Sequence, residues 1–319
     1  MLCTAGMVLA LITACDSTAP PQRAATSPPA TSAAPTSPVT SPSTSPTPSR
    51  AAQQTFQARA AQRTVDFLAG QIGPREATSA AYRRAATWVE QRLAALGYDV
   101  ERQQFRAPNG VSWGVPVGAG STWNVVARPP SLREGEPYLI AGAHLDTVPQ
   151  APGAEDNASG VAVVLELARL VAAGDSRLPV VFVAFGAEEP RGPGDDDHHF
   201  GSTAMVSRLS AAERQSLRGM VSLDRVGVGR VVPICTGGRG PTDVQRELVQ
   251  AARRVDVPSR ACNDNRASDH WSFEKAGLPA ARLGSTPYAA YHSTRDRPAV
   301  VNPAQLRRSG TVMWEWMSR

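Results

Sequence analysis

Lysine is nearly missing from this chain. Lys275 is the only one, so arginine supplies almost all of the 33 positive charges. Those arginines are scattered and often neighbour Asp or Glu, and no block of five or six like charges occurs. Aromatic residues amount to 6% and are not interleaved with basic ones. A nucleic-acid partner would ask for a basic stripe or patch. The net charge of +5 therefore reads as a solvated surface, and no nucleic acid is expected as a partner. A Gly-x-Ser-x-Gly elbow is also missing, which removes one main sign of a serine hydrolase. Gly227-Val228-Gly229 and Gly237-Gly238-Arg239-Gly240 lack a complete phosphate-binding fingerprint and read as turns. No internal repeat is visible.

Long apolar runs are lacking at the N-terminus too. Met7-Val8-Leu9-Ala10-Leu11-Ile12 is too short to span a bilayer and fits the apolar region of a signal peptide. Ile12-Thr13-Ala14-Cys15 resembles the bacterial lipobox, whose cysteine is lipidated and becomes the new N-terminus; no Lys or Arg precedes the run. An ordinary secretory signal with Cys15 incidental is the alternative. Either way the product is expected outside the cytoplasm, with membrane contact only through an anchor at Cys15. Residues 16–52 are dominated by Ser, Thr, Pro and Ala and cannot bury enough apolar area to offset ordering, which predicts a disordered linker. Residues 53–319 remain as one domain with a sizeable core. Of the four cysteines, Cys235 and Cys262 fall in that domain, where they form one disulfide or stay as separate buried thiols.

Within the domain, residues 64–68 carry a short helical pattern that stops near Gly70, and Ile72-Gly73-Pro74-Arg75 reads as a turn. A longer helix follows, with Ala85, Trp88, Val89, Leu93 and Leu96 on one face and Gly97 at its stop. Residues 98–105 and 123–127 read as strands. Residues 137–140, 178–185 and 220–223 are buried-strand runs, and residues 161–170 repeat apolar positions at helical spacing. Thr242 with Gln245 makes a capping-box signature for a helix whose inner face is Val244, Leu248 and Ala252. Residues 279–283 add a strand, and Asn302 with Pro303 opens a last helix facing Leu306, Met313 and Trp316 inward. Strands alternating with helices predict an α/β domain of three layers, its mostly parallel central sheet covered by helices on both faces.

Three of these strands end in acidic or imidazole groups: His144 with Asp146, Glu188 with Glu189, and Asp224. Strand ends on one edge of a parallel sheet lie side by side, and the crevice there is the usual ligand site. Asp156 and His292 enter from loops at what would be the same edge. Carboxylates packed so closely repel, and one is forced to hold a proton. Divalent cations remove the conflict. Two histidines and several carboxylates suit two zinc ions, with one carboxylate bridging and water completing the site. Asp195-Asp196-Asp197-His198-His199 reads as a hydrated Gly/Pro-rich loop, with a cation or substrate-amine role as the alternative. Ser268-Asp269-His270 is no serine-protease triad by itself, because a triad is defined by roles in space.

The order and spacing of these pieces resemble the dinuclear zinc exopeptidases that include bacterial leucyl aminopeptidases, metallopeptidase family twenty-eight. The resemblance runs over roughly residues 60 to 319. It rests on Ile72-Gly73-Pro74-Arg75, Ala143-His144-Leu145-Asp146, Glu155-Asp156-Asn157-Ala158-Ser159-Gly160, Glu188-Glu189, Leu223-Asp224, Ser268-Asp269-His270 and Tyr291-His292-Ser293-Thr294. It implies the zinc-dependent exopeptidase fold, two Zn2+ per chain, and hydrolysis of N-terminal residues from peptide substrates. By resemblance Asp156 bridges both ions, His144 and Asp224 complete one set, and Glu189 with His292 completes the other. Glu188 looks like the general base, and Asp146 looks like the carboxylate that orients His144. Tyr291 matches a position whose hydroxyl assists the oxyanion, with Tyr288 as its competitor. Asp269 and His270 are expected behind the ligands rather than on a metal. The alternatives on this fold are a glutaminyl-cyclase-like transferase with one zinc and a non-catalytic binding domain.

Overall fold

The computed structural model describes residues 55–174 and 176–319. The expected signal region, Cys15 and the linker lie outside the described residues. Among those described, no helix is long and apolar enough to cross a membrane.

The strands in chain order are β1 Asp99–Ala107, β2 Gly110–Ser112, β3 Val115–Val117, β4 Gly120–Arg128, β5 Tyr138–His144, β6 Val180–Phe185, β7 Leu217–Asp224, β8 Val232–Cys235, β9 Ser259–Cys262 and β10 Ala280–Gly284. Eight of them form one sheet in the order β1-β4-β6-β5-β7-β10-β8-β9, and β2 with β3 makes a separate hairpin. The central strands β6, β5, β7 and β10 run parallel to one another. At one margin β4 and β1 turn antiparallel. At the other β8 is antiparallel to β10 and parallel to β9.

Around the sheet lie α1 Ala58–Val65, continued by a π-helical stretch Asp66–Ile72, then α2 Ala80–Ala95, α3 Ser159–Ala172, α4 Phe200–Arg208, α5 Ala211–Ser216, α6 Asp243–Arg254, α7 His270–Lys275 and α8 Pro303–Ser318. Burial on two faces explains the uninterrupted apolar strands. Leu139 and Ala141 of β5 pack with Leu93, Leu167, Leu248 and Trp316 on one side. Ile140 packs with Met205 and Phe273 on the other. Each such aliphatic side chain, wholly removed from water, contributes about 1.5–3 kcal/mol. The expected three-layer α/β domain is the one observed.

One local reading changes, and one left open is settled. Thr242 caps no backbone donor at the start of α6. Gln245 is drawn off instead, its amide donating to Ile234 O at 2.9 Å and Cys262 O at 2.8 Å. The reciprocal capping box occurs at Ser210 and Glu213, on α5. Cys235 and Cys262 stand opposite each other in the β8–β9 register and form a disulfide. Closing a loop of 27 residues contributes about 3.5 kcal/mol by limiting the unfolded chain.

The parallel register brings the strand ends level. His144 pairs with Phe185, and Gly142 with both Val183 and Ser222, so the residues following β5, β6 and β7 emerge on one edge. Helix α3 starts tight against that edge. A Cβ on Gly160 would sit 2.2 Å from Leu223 O and 2.5 Å from Asn157 Oδ1, which leaves glycine as the residue that fits.

Candidate metal centre

Six side chains converge at this edge, and none is more than 7% exposed: His144, Asp156, Glu188, Glu189, Asp224 and His292. His144 ends β5, Asp224 ends β7, and the two glutamates follow β6. Asp156 comes from the kinked π-helical turn Ala154–Ala158 just before α3, its own backbone non-helical at φ -112°, and His292 comes from a loop with a φ of 52°. The Nε2 of His144 lies 3.1 Å from Asp156 Oδ1, 3.7 Å from Asp224 Oδ1 and 3.8 Å from Glu188 Oε2. The Nε2 of His292 lies 3.0 Å from Asp156 Oδ2 and 3.3 Å from Glu189 Oε2. Asp156 therefore offers one oxygen to each imidazole. A cavity of about 240 Å³ opens onto the cluster, with Trp113, His199, Arg225 and Tyr291 also on its walls.

The charge balance of this pocket suits a cation. Donor atoms of His144, Asp156 and Glu189 lie within 4.8 Å of one another, as do those of His144, Glu188 and Asp224. The second grouping puts Glu188 itself within reach of a cation. Burial pushes Glu188 up to about 7, with Asp224 and Asp146 adding to the effect against the pull of His144. Burial also raises Glu189, helped by Asp156 and Glu188. For Asp156 burial acts upward, yet the hydrogen bonds from His144 and His292 outweigh it and hold the carboxyl well below its usual range. Burial alone would lower His144, but Glu188, Asp156 and Asp224 hold it well above. Among the described residues, Asp224 Oδ1 is buried with no hydrogen-bond partner. A buried acceptor without a donor is costly, and a cation shared with His144 would satisfy it. Imidazole mixed with carboxylate oxygen is a donor set suited to zinc, so the residues present fit that metal.

The loops are held by polar groups of their own. Asp146 accepts the backbone N–H of Glu188 and of Glu189, both at 3.1 Å, and so fixes the turn that presents the two glutamates. Its carboxylate is 3.8 Å from His144 Nδ1, which lies 3.1 Å from the Asp146 carbonyl. The contact nearer His144 is thus backbone. Asp296 accepts from the N–H of Glu155 at 2.9 Å and of Asp156 at 3.1 Å. Glu155, fully buried, accepts from Gly227 and Val228, and Asn157 donates to Leu223 O at 2.9 Å. Arg75, 0% exposed, donates to the carbonyls of Leu68, Gly73, Leu145, Pro152 and Gly153. Burial lowers its pKa to about 10 against the pull of Asp296 and Asp146, so it stays charged at neutral pH.

Several residues were misread or missed in the sequence. His199 belongs to the cavity wall and not to a hydrated loop. It is 3% exposed, its φ is 58°, and its Nε2 lies 3.3 Å from Glu188 Oε1. Burial depresses its pKa to about 3, which keeps it neutral. Arg282 on β10 places Nη2 3.0 Å from Asp224 Oδ2, leaving Oδ1 towards His144. An arginine in an apolar strand was the available signal. Asp296, four residues after His292, gave no periodic sign. Tyr291 lines the cavity and stacks on His292 with ring centroids 3.7 Å apart, whereas the Tyr288 hydroxyl donates to Asp296 at 2.9 Å. Asp269 and His270 are wholly buried outside the cavity wall, with His270 Nε2 2.7 Å from Asn265 O.

A family model described as "Peptidase family M28" matches residues 124–317. The chain is 27% identical over 198 residues to Aminopeptidase YwaD of Bacillus subtilis, covering 59% of this chain and 42% of that protein. It is 29% identical over 219 residues to Leupeptin-inactivating enzyme 1 of Streptomyces exfoliatus, covering 67% and 45%. The chain thus spans less than half the length of these curated relatives. Among solved structures it resembles BSAP, a zinc aminopeptidase from Bacillus subtilis, at a TM-score of 0.73 and 19% identity, over 82% of this chain and 95% of that one. It also resembles a glutaminyl cyclase from Fimbriiglobus ruber at 0.69 and 23%, over the same shares. At these identities the two structures speak for the fold alone.

Proposed function

The chain belongs to peptidase family M28, and on that premise we propose that it is a two-zinc aminopeptidase releasing N-terminal residues from peptides. The observation that carries the reading is Asp156, whose two carboxylate oxygens face two imidazoles at 3.1 and 3.0 Å. His144 and Asp224 would hold one zinc, Glu189 and His292 the other, with Asp156 between them. Zinc there supplies Lewis-acid polarisation of the peptide carbonyl and greater acidity for a water in the site. The chain's own groups do the rest. Glu188, buried beside the ligands, accepts the proton of the attacking water at a carboxylate oxygen and returns it to the departing amine. Asp146 keeps Glu188 aimed by holding its backbone N–H. Tyr291, whose ring is fixed on His292, is positioned to donate its hydroxyl to the carbonyl oxygen as charge develops there.

The domain reading goes with this: signal and lipobox to Cys15, linker to residue 52, catalytic domain from 53. The tether would hold the enzyme outside the cytoplasm and clear of the envelope. A "Probable lipoprotein aminopeptidase LpqL" of Mycobacterium tuberculosis, 28% identical over 204 residues, gives the anchor some support. Labelling with a fatty acid should mark the wild type and not Cys15→Ser. The activity is tested by metal analysis coupled to a panel of aminoacyl-p-nitroanilides. Two zinc per chain and a released amino acid are expected; one zinc and pyroglutamate from a glutaminyl peptide would favour the cyclase alternative.

A further inference from the structure

Two guanidinium groups line the cavity above the carboxylates, and the protein uses them differently. Arg282, at 1% exposure, is the buried one, and among the described residues its Nε and Nη2 have no hydrogen-bond partner. Its Nη1 donates to Asn265 Oδ1 at 3.0 Å and Ala267 O at 2.6 Å, and its Nη2 lies against Asp224. Arg225 keeps most of its donors. Among the described residues its side chain makes one hydrogen bond, Nη2 to Ser285 Oγ at 3.3 Å. Its Nε stands 3.8 Å from Asp224 Oδ1, beyond hydrogen-bond reach.

Arg225 is nevertheless anchored. The guanidinium carbon lies 4.5 Å from the centre of the Tyr291 ring, which in turn stacks on His292. Its backbone N–H donates to Asn157 Oδ1 at 3.2 Å, tying the residue to the loop that carries Asp156. An arginine whose guanidinium carbon lies over an aromatic ring can still offer the N–H groups of its fork to an acceptor. With the side chain only 13% exposed, those groups meet a partly dehydrated cavity where a charge-assisted pair gains more than at an open surface.

Resting on the aminopeptidase reading, we propose that Arg225 is a specificity-determining residue that receives a substrate carboxylate next to the bond being cut. That carboxylate has two sources, the side chain of an N-terminal Asp or Glu and the C-terminus of a dipeptide. Both bring two coplanar oxygens to the fork. A mere countercharge to Asp156 and Asp224 would treat every peptide alike.

The test compares kcat/KM of the zinc-loaded enzyme within two pairs: aspartyl- against leucyl-p-nitroanilide, and Leu-Gly against Leu-Gly-amide. The wild type should favour the carboxylate-bearing member of one pair at least tenfold, and which pair responds identifies the source. Arg225→Gln should lower that ratio at least tenfold, the loss expected for about one charged hydrogen bond. Arg225→Lys, which keeps the charge without the fork, should recover only part of it and serves alone if the Gln variant fails to fold. No preference in either pair, a preference that survives both variants, or an equal loss on all four substrates overturns the proposal. With no turnover on any substrate the aminopeptidase reading fails by itself. Calorimetric binding of L-aspartate against L-leucine then still reads the wall: at least tenfold tighter aspartate, lost in Arg225→Gln, supports it, and equal binding overturns it.

Discussion

The two imidazoles of the pocket sit in unlike settings. His144 closes a strand whose every residue is buried, and its neighbours on both sides are parallel strands. Hydrogen bonds of the sheet and apolar packing on two faces hold it. His292 has neither. It stands in a loop at positive φ and depends on what the loop can grip: stacking with Tyr291, the edge of Trp113 at 4.3 Å, and Asp296 further on, which reaches back to Glu155 and Asp156. One half of the site is therefore built by the core and the other by buried polar groups. The lesson is that buried polar groups are expensive unless each is satisfied, so the loop-borne half should yield first.

The largest effect bears on the chemistry common to both halves. Glu188→Gln should lower kcat about 1000-fold while zinc content stays as in the wild type. Full activity would remove Glu188 as the base. Next comes the residue joining the halves. Asp156→Ala should cost both ions together on dialysis, by more than the roughly 10–100-fold expected for a residue behind the ligands. Loss of one ion alone would mean that the halves are independent. Arg75→Met should then cost about 3 kcal/mol in denaturant unfolding, because five carbonyls on three segments lose their donor. A change below about 0.5 kcal/mol would show that the loops stand without it.

How much of this was readable beforehand follows the same division. The strand-borne residues were legible because an uninterrupted apolar run that stops at His144 or Asp224 marks a buried strand and its end at once. The loop-borne residues carry no period. Asp156 and His292 were found through the order of motifs shared with a family, and Asp296, which supports them, was not found. His199 was misread for a physical reason. A run of three aspartates and two histidines looks solvated, and only the backbone turn at φ 58°, with His199 N–H donating to Glu188 O at 3.0 Å, folds it into the wall. Arg225 and Arg282 were invisible as a pair, since one is taken up by contacts with residues 265, 267 and 224 that only the fold brings together.

The smallest predicted effect sharpens the contrast most. Asp296→Asn keeps the size of the side chain but weakens its hold on the Glu155 and Asp156 amides. Zinc affinity should fall roughly 10-fold, the low end for a group that orients a ligand. Competition against a chelator reads it. Unaltered affinity would place the loop's order elsewhere.

The proposed convergence of both halves on one pair of cations is tested most directly by anomalous scattering at the zinc edge from crystals of the metal-loaded protein. Two peaks are expected about 3.5–4 Å apart, one on the His144 side of Asp156 and one on the His292 side. A single peak, or zinc bound away from Asp156, would contradict the shared-carboxylate centre.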